Sequence, residues 1–230
     1  MIENWININW SPLFISLKTS VVATMIAFIL GIMAAQFVLK ANRKIAWIAH
    51  SIFTLPLVLP PTVAGFFLLL LFSVKRPFGQ YLYVNFNIKI VQSWQGCVIA
   101  ACVIAFPLMY SNVKSAFEQI DTTILFAART LGVSEWYIFL RITMPMAWPG
   151  VLSGTILAFA RSMGEYGATS MLAGNILGKT QTVAVAIAAE TSAGNFKEAA
   201  FWVFVIVSIS FVFISLLNIL SNGKRLSKRW

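Results

Sequence analysis

Acidic charge is scarce in this chain. It has seven Asp+Glu against seventeen Lys+Arg, and all charged residues make up 10% of its 230 positions, where a soluble domain carries roughly 25%. Histidine is nearly absent: His50 stands alone, which excludes a paired-histidine zinc site. There are two cysteines, Cys97 and Cys102, five positions apart inside an apolar run. They fall on different helix faces, so a disulfide framework is excluded and buried filler is expected. No G-x-x-x-x-G-K-[ST], H-E-x-x-H or G-x-S-x-G string occurs, so the chain has neither a phosphate cradle for ATP nor a hydrolase signature. No catalytic residue, no metal site and no cofactor of its own is expected. Residues 1–11 contain Glu3 and no basic residue, so a cleaved leader is not expected either.

What the chain does have is apolar length. Hydrophobic residues are 59% and mean hydropathy is +0.83, more apolar surface than a soluble fold of this size can hide. Charge-free runs cover residues 19–39, 45–74, 90–113, 142–160 and 199–223. Each is close to or above the roughly 20 residues a helix needs to cross the hydrocarbon core. The expectation is an all-α, polytopic membrane protein with five spans in one domain over 1–230. Residues 166–189, with three glycines and Lys179, fit a sixth span, a re-entrant segment or an interfacial helix.

The basic residues lie mostly in the connections, which points to orientation in a membrane rather than to nucleic acid. With the N-terminus outside, ten fall inside (Lys40, Arg43, Lys44, Lys114, Arg129, Arg141, Lys224, Arg225, Lys228, Arg229) and seven outside (Lys18, Lys75, Arg76, Lys89, Arg161, Lys179, Lys197). This favours N-terminus out and C-terminus cytoplasmic. A crossing by residues 166–189 would upset that parity. Most of the eight tryptophans fall near span ends, as an interfacial belt requires.

Two segments break the pattern. The second span carries Pro56, Pro60 and Pro61 within six residues; they remove three N–H donors and must kink or unwind the helix. In lipid, freed carbonyls are tolerated only where protein buries them or water reaches them. The other break is the connection 114–145. From Asp121 it reads as a short helix with an apolar face of Ile120, Ile124, Ala127, Ala128 and Leu131. Gly132 suits the left-handed stop after it. Ser134 then suits the cap of a second short helix, through Ile142 and ending before Pro145 and Pro149. Connecting two spans takes four to eight residues or so, so this hook looks like a docking element.

Ala127-Ala128-Arg129-Thr130-Leu131-Gly132, then nine residues, then Ile142-Thr143-Met144-Pro145 resembles the cytoplasmic EAA loop of ABC importer permeases. Phe126 stands at the family's usual Glu and Met144 at its usual Leu; Glu118, Asp121 or Glu135 are the acids that could replace the missing charge. The strings Leu55-Pro56-Leu57-Val58-Leu59-Pro60-Pro61-Thr62-Val63-Ala64-Gly65 and Phe159-Ala160-Arg161-Ser162-Met163-Gly164-Glu165-Tyr166-Gly167-Ala168-Thr169 are similar to the molybdate permease branch, with sulfate permeases next.

The resemblance implies a type I ABC importer permease fold in the bacterial cytoplasmic membrane. It implies a homodimer, two ABC ATPase subunits that bind ATP and Mg on the cytoplasmic side, and an external oxyanion-binding protein. The cargo implied is molybdate, with tungstate as a second; sulfate is the alternative. Moving a dianion into a negative interior costs roughly 4–5 kcal/mol per 100 mV, so a motor is needed and must be a partner. Coupling is expected at Ala127, Ala128, Arg129, Gly132, Ile142 and Pro145. Pathway or gate candidates are Pro60, Pro61, Thr62, Arg161, Gly164, Glu165 and Thr169, with Thr155 and Ser170 as further hydroxyls. Arg161 and Glu165, four apart, are expected to pair on one helix face at the outer end of the fourth span. An ion-coupled secondary transporter is the rival, but no internal repeat supports it.

Overall fold

In this computed structural model the chain is described over residues 9–226, with side chains through residue 215. Trp5, Trp230 and the basic side chains of the tail, counted above for orientation, lie outside the described set.

The first span, α1 (Ser11–Lys40), carries small residues on one face: Ser16, Thr19, Ser20, Ala23, Thr24, Ala27, Gly31 and Ala35 are all buried. Small side chains let a neighbouring backbone come close, which is how helices gain contact where lipid supplies no hydrophobic drive. The neighbour is α5 (Trp94–Glu118), whose Ala100, Ala101, Ala105, Met109, Tyr110 and Val113 are almost completely buried. The two helices run parallel. Trp94 Nε1 donates to Thr19 Oγ1 (3.0 Å) near one end, and Gly31 meets Met109 and Tyr110 further along.

Between them the chain returns by α2 (Arg43–Val58) and α3 (Pro61–Phe72), bent by 113° at their junction. A short helix, α4 (Pro77–Phe86), leads to the start of α5. The connection expected to hook contains α6 (Thr122–Thr130) and α7 (Glu135–Ile138). A π turn (Phe139–Thr143) joins α7 without interruption to α8 (Met144–Met163), which packs antiparallel on α5. After α8 come α9 (Gly167–Leu172), α10 (Val183–Ser192) and α11 (Phe196–Leu226). All five charge-free runs are helical. Among the described residues four helices have the length and hydropathy to cross a membrane, and five do if the bent pair is taken as one span.

One expectation needs correction and two are sharpened. The helix after Ser134 does not end before Pro145 and Pro149: residues 135–163 form one 29-residue rod. The π turn explains it, because the Met144 N–H bonds to Phe139 O, loosening the turn where Pro145 would collide with the carbonyl four residues back. The five-residue apolar face of α6 is split; Ile120 and Ala128 are buried, whereas Ile124, Ala127 and Leu131 are exposed. Residues 166–189 do not form a continuous helix. They comprise α9, an irregular stretch and the first seven residues of the ten-residue α10.

Buried hydroxyls pin the irregular part. Ser16 Oγ accepts from Val183 N at 2.8 Å, fixing the start of α10 on α1. Ser20 Oγ is equally buried but has no hydrogen-bond partner among the described residues. Ser16→Ala therefore orphans a buried N–H, a cost of about 1–3 kcal/mol, and lowers the thermal midpoint of the detergent-solubilised chain. Ser20→Ala leaves it unchanged or raises it.

Candidate functional site

Two places bring the candidate residues together, one at each end of the α7–α8 rod. The first is the hook. Asp121 caps α6 by accepting from Thr123 N at 2.8 Å. At the other end Gly132 has φ +75°, Gly132 N donates to Arg129 O (2.9 Å) and Val133 N to Ala128 O (3.2 Å). These two bonds form a Schellman stop, which needs a left-handed residue at Gly132. Ser134 Oγ then accepts from Tyr137 N to start α7.

Across this turn Arg129 grips Glu135 with two bonds, Nε to Oε1 at 2.6 Å and Nη2 to Oε2 at 3.3 Å. Those hydrogen bonds hold the Glu135 carboxyl below the usual carboxylate range, and the N–H of Thr123 does the same for Asp121. All three acids that could replace the missing family Glu are thus engaged, since Glu118 pairs with Lys114 at 2.6 Å. Beside the exposed Arg129–Glu135 pair the hook presents large apolar side chains: Phe126 is 61% exposed, Leu131 81% and Trp136 69%. Ile142 is half-buried at the root of the hook and Pro145 is exposed in the first turn of α8.

The second place is where two interruptions of regular structure meet. Pro60 and Pro61 end α2 and start α3, and α8 stops at Met163 before α9 begins at Gly167. These two breaks pack on one another. A Cβ on Gly167 would lie 2.9 Å from Pro61 Cβ and 3.1 Å from Thr62 N; one on Gly65 would lie 2.7 Å from Ala168 Cα. Only bare backbone allows approaches this close.

The Arg161–Glu165 pair forms as expected, with Nη1 3.0 Å from Oε2, though off the angle of a hydrogen bond. Its setting differs from expectation in two ways. Glu165 lies beyond the helix end, in the break, and its Oε1 accepts from Ala168 N at 2.7 Å, capping α9. The pair also lies alongside the middle of α1 rather than its start, because the neighbouring Ser162 faces Thr24 (Oγ···Oγ1 3.5 Å). Thr24 is about 20 Å down α1 at 1.5 Å per residue.

Around this junction Glu165 and Thr169 are buried, while Pro60, Thr62, Gly164 and one-third of the Arg161 side chain are open. Gly164 meets nothing closer than 4.0 Å and makes no close approach. Thr155 and Ser170 donate within their own turns, to Val151 O and Gly167 O. Sequence reasoning named the proline break but not the one after Met163, and so did not join them; Gly65 and Gly167 were the signal, as the glycines packed at the close approach.

The comparisons with known proteins agree with this architecture. The model of the family "binding-protein-dependent transport system inner membrane component" matches residues 27–226. The chain is 41% identical over 205 residues to a putative molybdenum transport system permease protein of Bacillus subtilis, covering 89% of this chain and 90% of that one. It is 39% identical over 210 residues to the molybdenum transport system permease protein ModB of Escherichia coli K12, covering 90% of each. The sulfate transport system permease protein CysT of E. coli is 29% identical over 213 residues, 92% of this chain and 76% of that one. Among solved structures, the MetNI methionine ABC transporter matches with TM-score 0.71 at 14% identity over 92% and 94% of the two chains. A bacterial ABC transporter for alginate matches with TM-score 0.78 at 12% identity over 93% and 78%.

Glu165 is 1% exposed, so removing its partner strands a buried carboxylate. Arg161→Met is expected to destabilise the chain toward the low end of about 3–5 kcal/mol, since Arg161 is itself partly open. Arg161→Met with Glu165→Gln recovers most of the loss, as the amide oxygen still caps α9. Thermal unfolding of the three proteins in detergent checks this: equal or additive losses would show that the two side chains do not act as a pair.

Proposed function

The chain belongs to the binding-protein-dependent transport system inner membrane components, the permease subunits of ABC importers, and from that membership we propose that it carries molybdate, with tungstate as a second cargo, across the cytoplasmic membrane. The reading of the cargo is supported by chain-long similarity to molybdenum permeases, which exceeds that to the sulfate permease. The observation that carries the mechanism is the hook and the rod behind it.

The apolar tip formed by Phe126, Leu131 and Trp136 is the docking surface for a separate ABC ATPase, which holds the ATP and Mg. Phe126 replaces an acidic contact by an apolar one there. The 29-residue rod from Glu135 to Met163 is about 43 Å long. It runs as one continuous helix from this surface to the Arg161–Glu165 junction, so a push on the hook is delivered where the two breaks meet. Five spans with an exposed break in the second one make half of a pathway, and the partner is a second copy of the chain. The hook faces the cytoplasm and the N-terminus the outside, where an oxyanion-binding protein delivers the cargo. Thr62, the backbone amides beside Pro60–Pro61 and the open part of Arg161 offer donors to a dianion. Glu165 keeps Arg161 from becoming a tight trap.

ATP-dependent uptake into proteoliposomes holding the chain, its ATPase and the binding protein tests this reading. Molybdate accumulates, equimolar tungstate competes and sulfate does not. Uptake without ATP, or of sulfate in preference, overturns it. In the same assay Gly132→Leu abolishes uptake while insertion is unchanged, because a left-handed Leu is strained by about 1–2 kcal/mol. Gly132→Asn, which tolerates that conformation, retains most of it. Normal uptake by the Leu variant contradicts the docking role.

A further inference from the structure

Lys18 and Lys179 lie outside both places described above, at the end of the bundle opposite the hook, and they line one pocket. It has a volume of about 470 Å³ and is bounded by Phe14, Ile15, Lys18, Ser93, Trp94 and Lys179, within the roughly 300–1,000 Å³ typical of small-molecule sites. Lys18 Nζ sits 4.1 Å from the centre of the Trp94 ring. That contact and the Trp94–Thr19 hydrogen bond fix the wall of the pocket. Neither lysine has an acidic partner among the described residues. Two uncompensated cations, with the start of the 25-residue α5 between them, make the pocket a receptor for an anion.

Depth and surroundings say which anion. Lys18 and Lys40 bracket a charge-free stretch of 21 residues in α1, about 31 Å at 1.5 Å per residue and hence the thickness of the hydrocarbon core. Lys18 therefore stands at the level of the lipid phosphates. On the same face of α1, at helical spacing below it, Val21, Met25, Ile29 and Met33 are 42–62% exposed. Cations above a continuous apolar stripe match a phosphate headgroup with its acyl chain. A free oxyanion gains nothing from Phe14, Ile15 or the stripe. We infer that this pocket binds the headgroup of an anionic glycerophospholipid in the leaflet opposite the hook. The inference does not depend on the cargo.

Native mass spectrometry of the purified full-length chain, titrated with phosphatidylglycerol and with phosphatidylcholine of the same acyl chains, tests it. One phosphatidylglycerol per chain is retained in preference, and millimolar inorganic phosphate or molybdate does not displace it. Each lysine near an anionic headgroup contributes roughly a factor of five, so Lys18→Ala with Lys179→Ala weakens that lipid on the order of thirtyfold. Lys18→Arg with Lys179→Arg keeps it, as does the control Lys75→Ala with Lys89→Ala. Equal retention of the two lipids, or unchanged binding by the double alanine variant, overturns the proposal. Displacement by phosphate or molybdate also overturns it and assigns the pocket to free anions.

Discussion

Inside a bilayer no water is present to satisfy a backbone N–H or C=O, and each one left without a partner costs several kcal/mol. This chain interrupts its helices twice within its apolar part, at Pro60–Pro61 and between Met163 and Gly167. It places the two interruptions against each other, with Gly167 on Pro61 and Gly65 on Ala168. One side of the junction is closed by Glu165, which caps α9 and faces Arg161. The other side, with Pro60 and Thr62, remains open on this chain. That open side has to meet protein or water, and this requirement is what motivates the proposed second copy and a path between the copies.

The helix that reaches this junction is continuous despite two prolines. Pro145 and Pro149 would ordinarily stop a helix, yet the π turn at Phe139–Thr143 absorbs the first, and the helix runs unbroken from the hook to the junction. The hook is built from short-range devices only: an Asp121 cap, a Schellman turn at Gly132, a Ser134 cap and the Arg129–Glu135 grip. Such a unit is stiff without being buried, and its apolar tip is free to enter a partner. In the proposed mechanism coupling needs no long-range network, only one lever with a docking surface at one end and the junction of the two breaks at the other.

The spans, the caps of the hook and the left-handed Gly132 could all be read from residue order, because each depends on local periodicity or on a residue's own backbone preferences. The Arg161–Glu165 pair was also legible, through its spacing. What could not be read was the consequence of contact between distant segments. Pro145 looked like a stop because the register shift that rescues it is cooperative with the packing of α8 on α5. The apolar side of α6 was legible, but helical periodicity does not say which of its residues this chain covers, and Ile124 and Leu131 stay exposed. The meeting of Gly167 with Pro61 joins residues more than a hundred positions apart, which no local pattern encodes.

The central claim is that water reaches the α2–α3 break inside the membrane. Labelling by a membrane-impermeant thiol reagent measures it most directly, in the assembled transporter in liposomes with Cys97 and Cys102 replaced by Ala. A cysteine at Thr62 is expected to react at a rate approaching that of a cysteine at Phe126 on the exposed hook, while one at the lipid-facing Met25 stays unreactive. If the cysteine at Thr62 is as inert as the one at Met25, the break is sealed from water and the account is wrong.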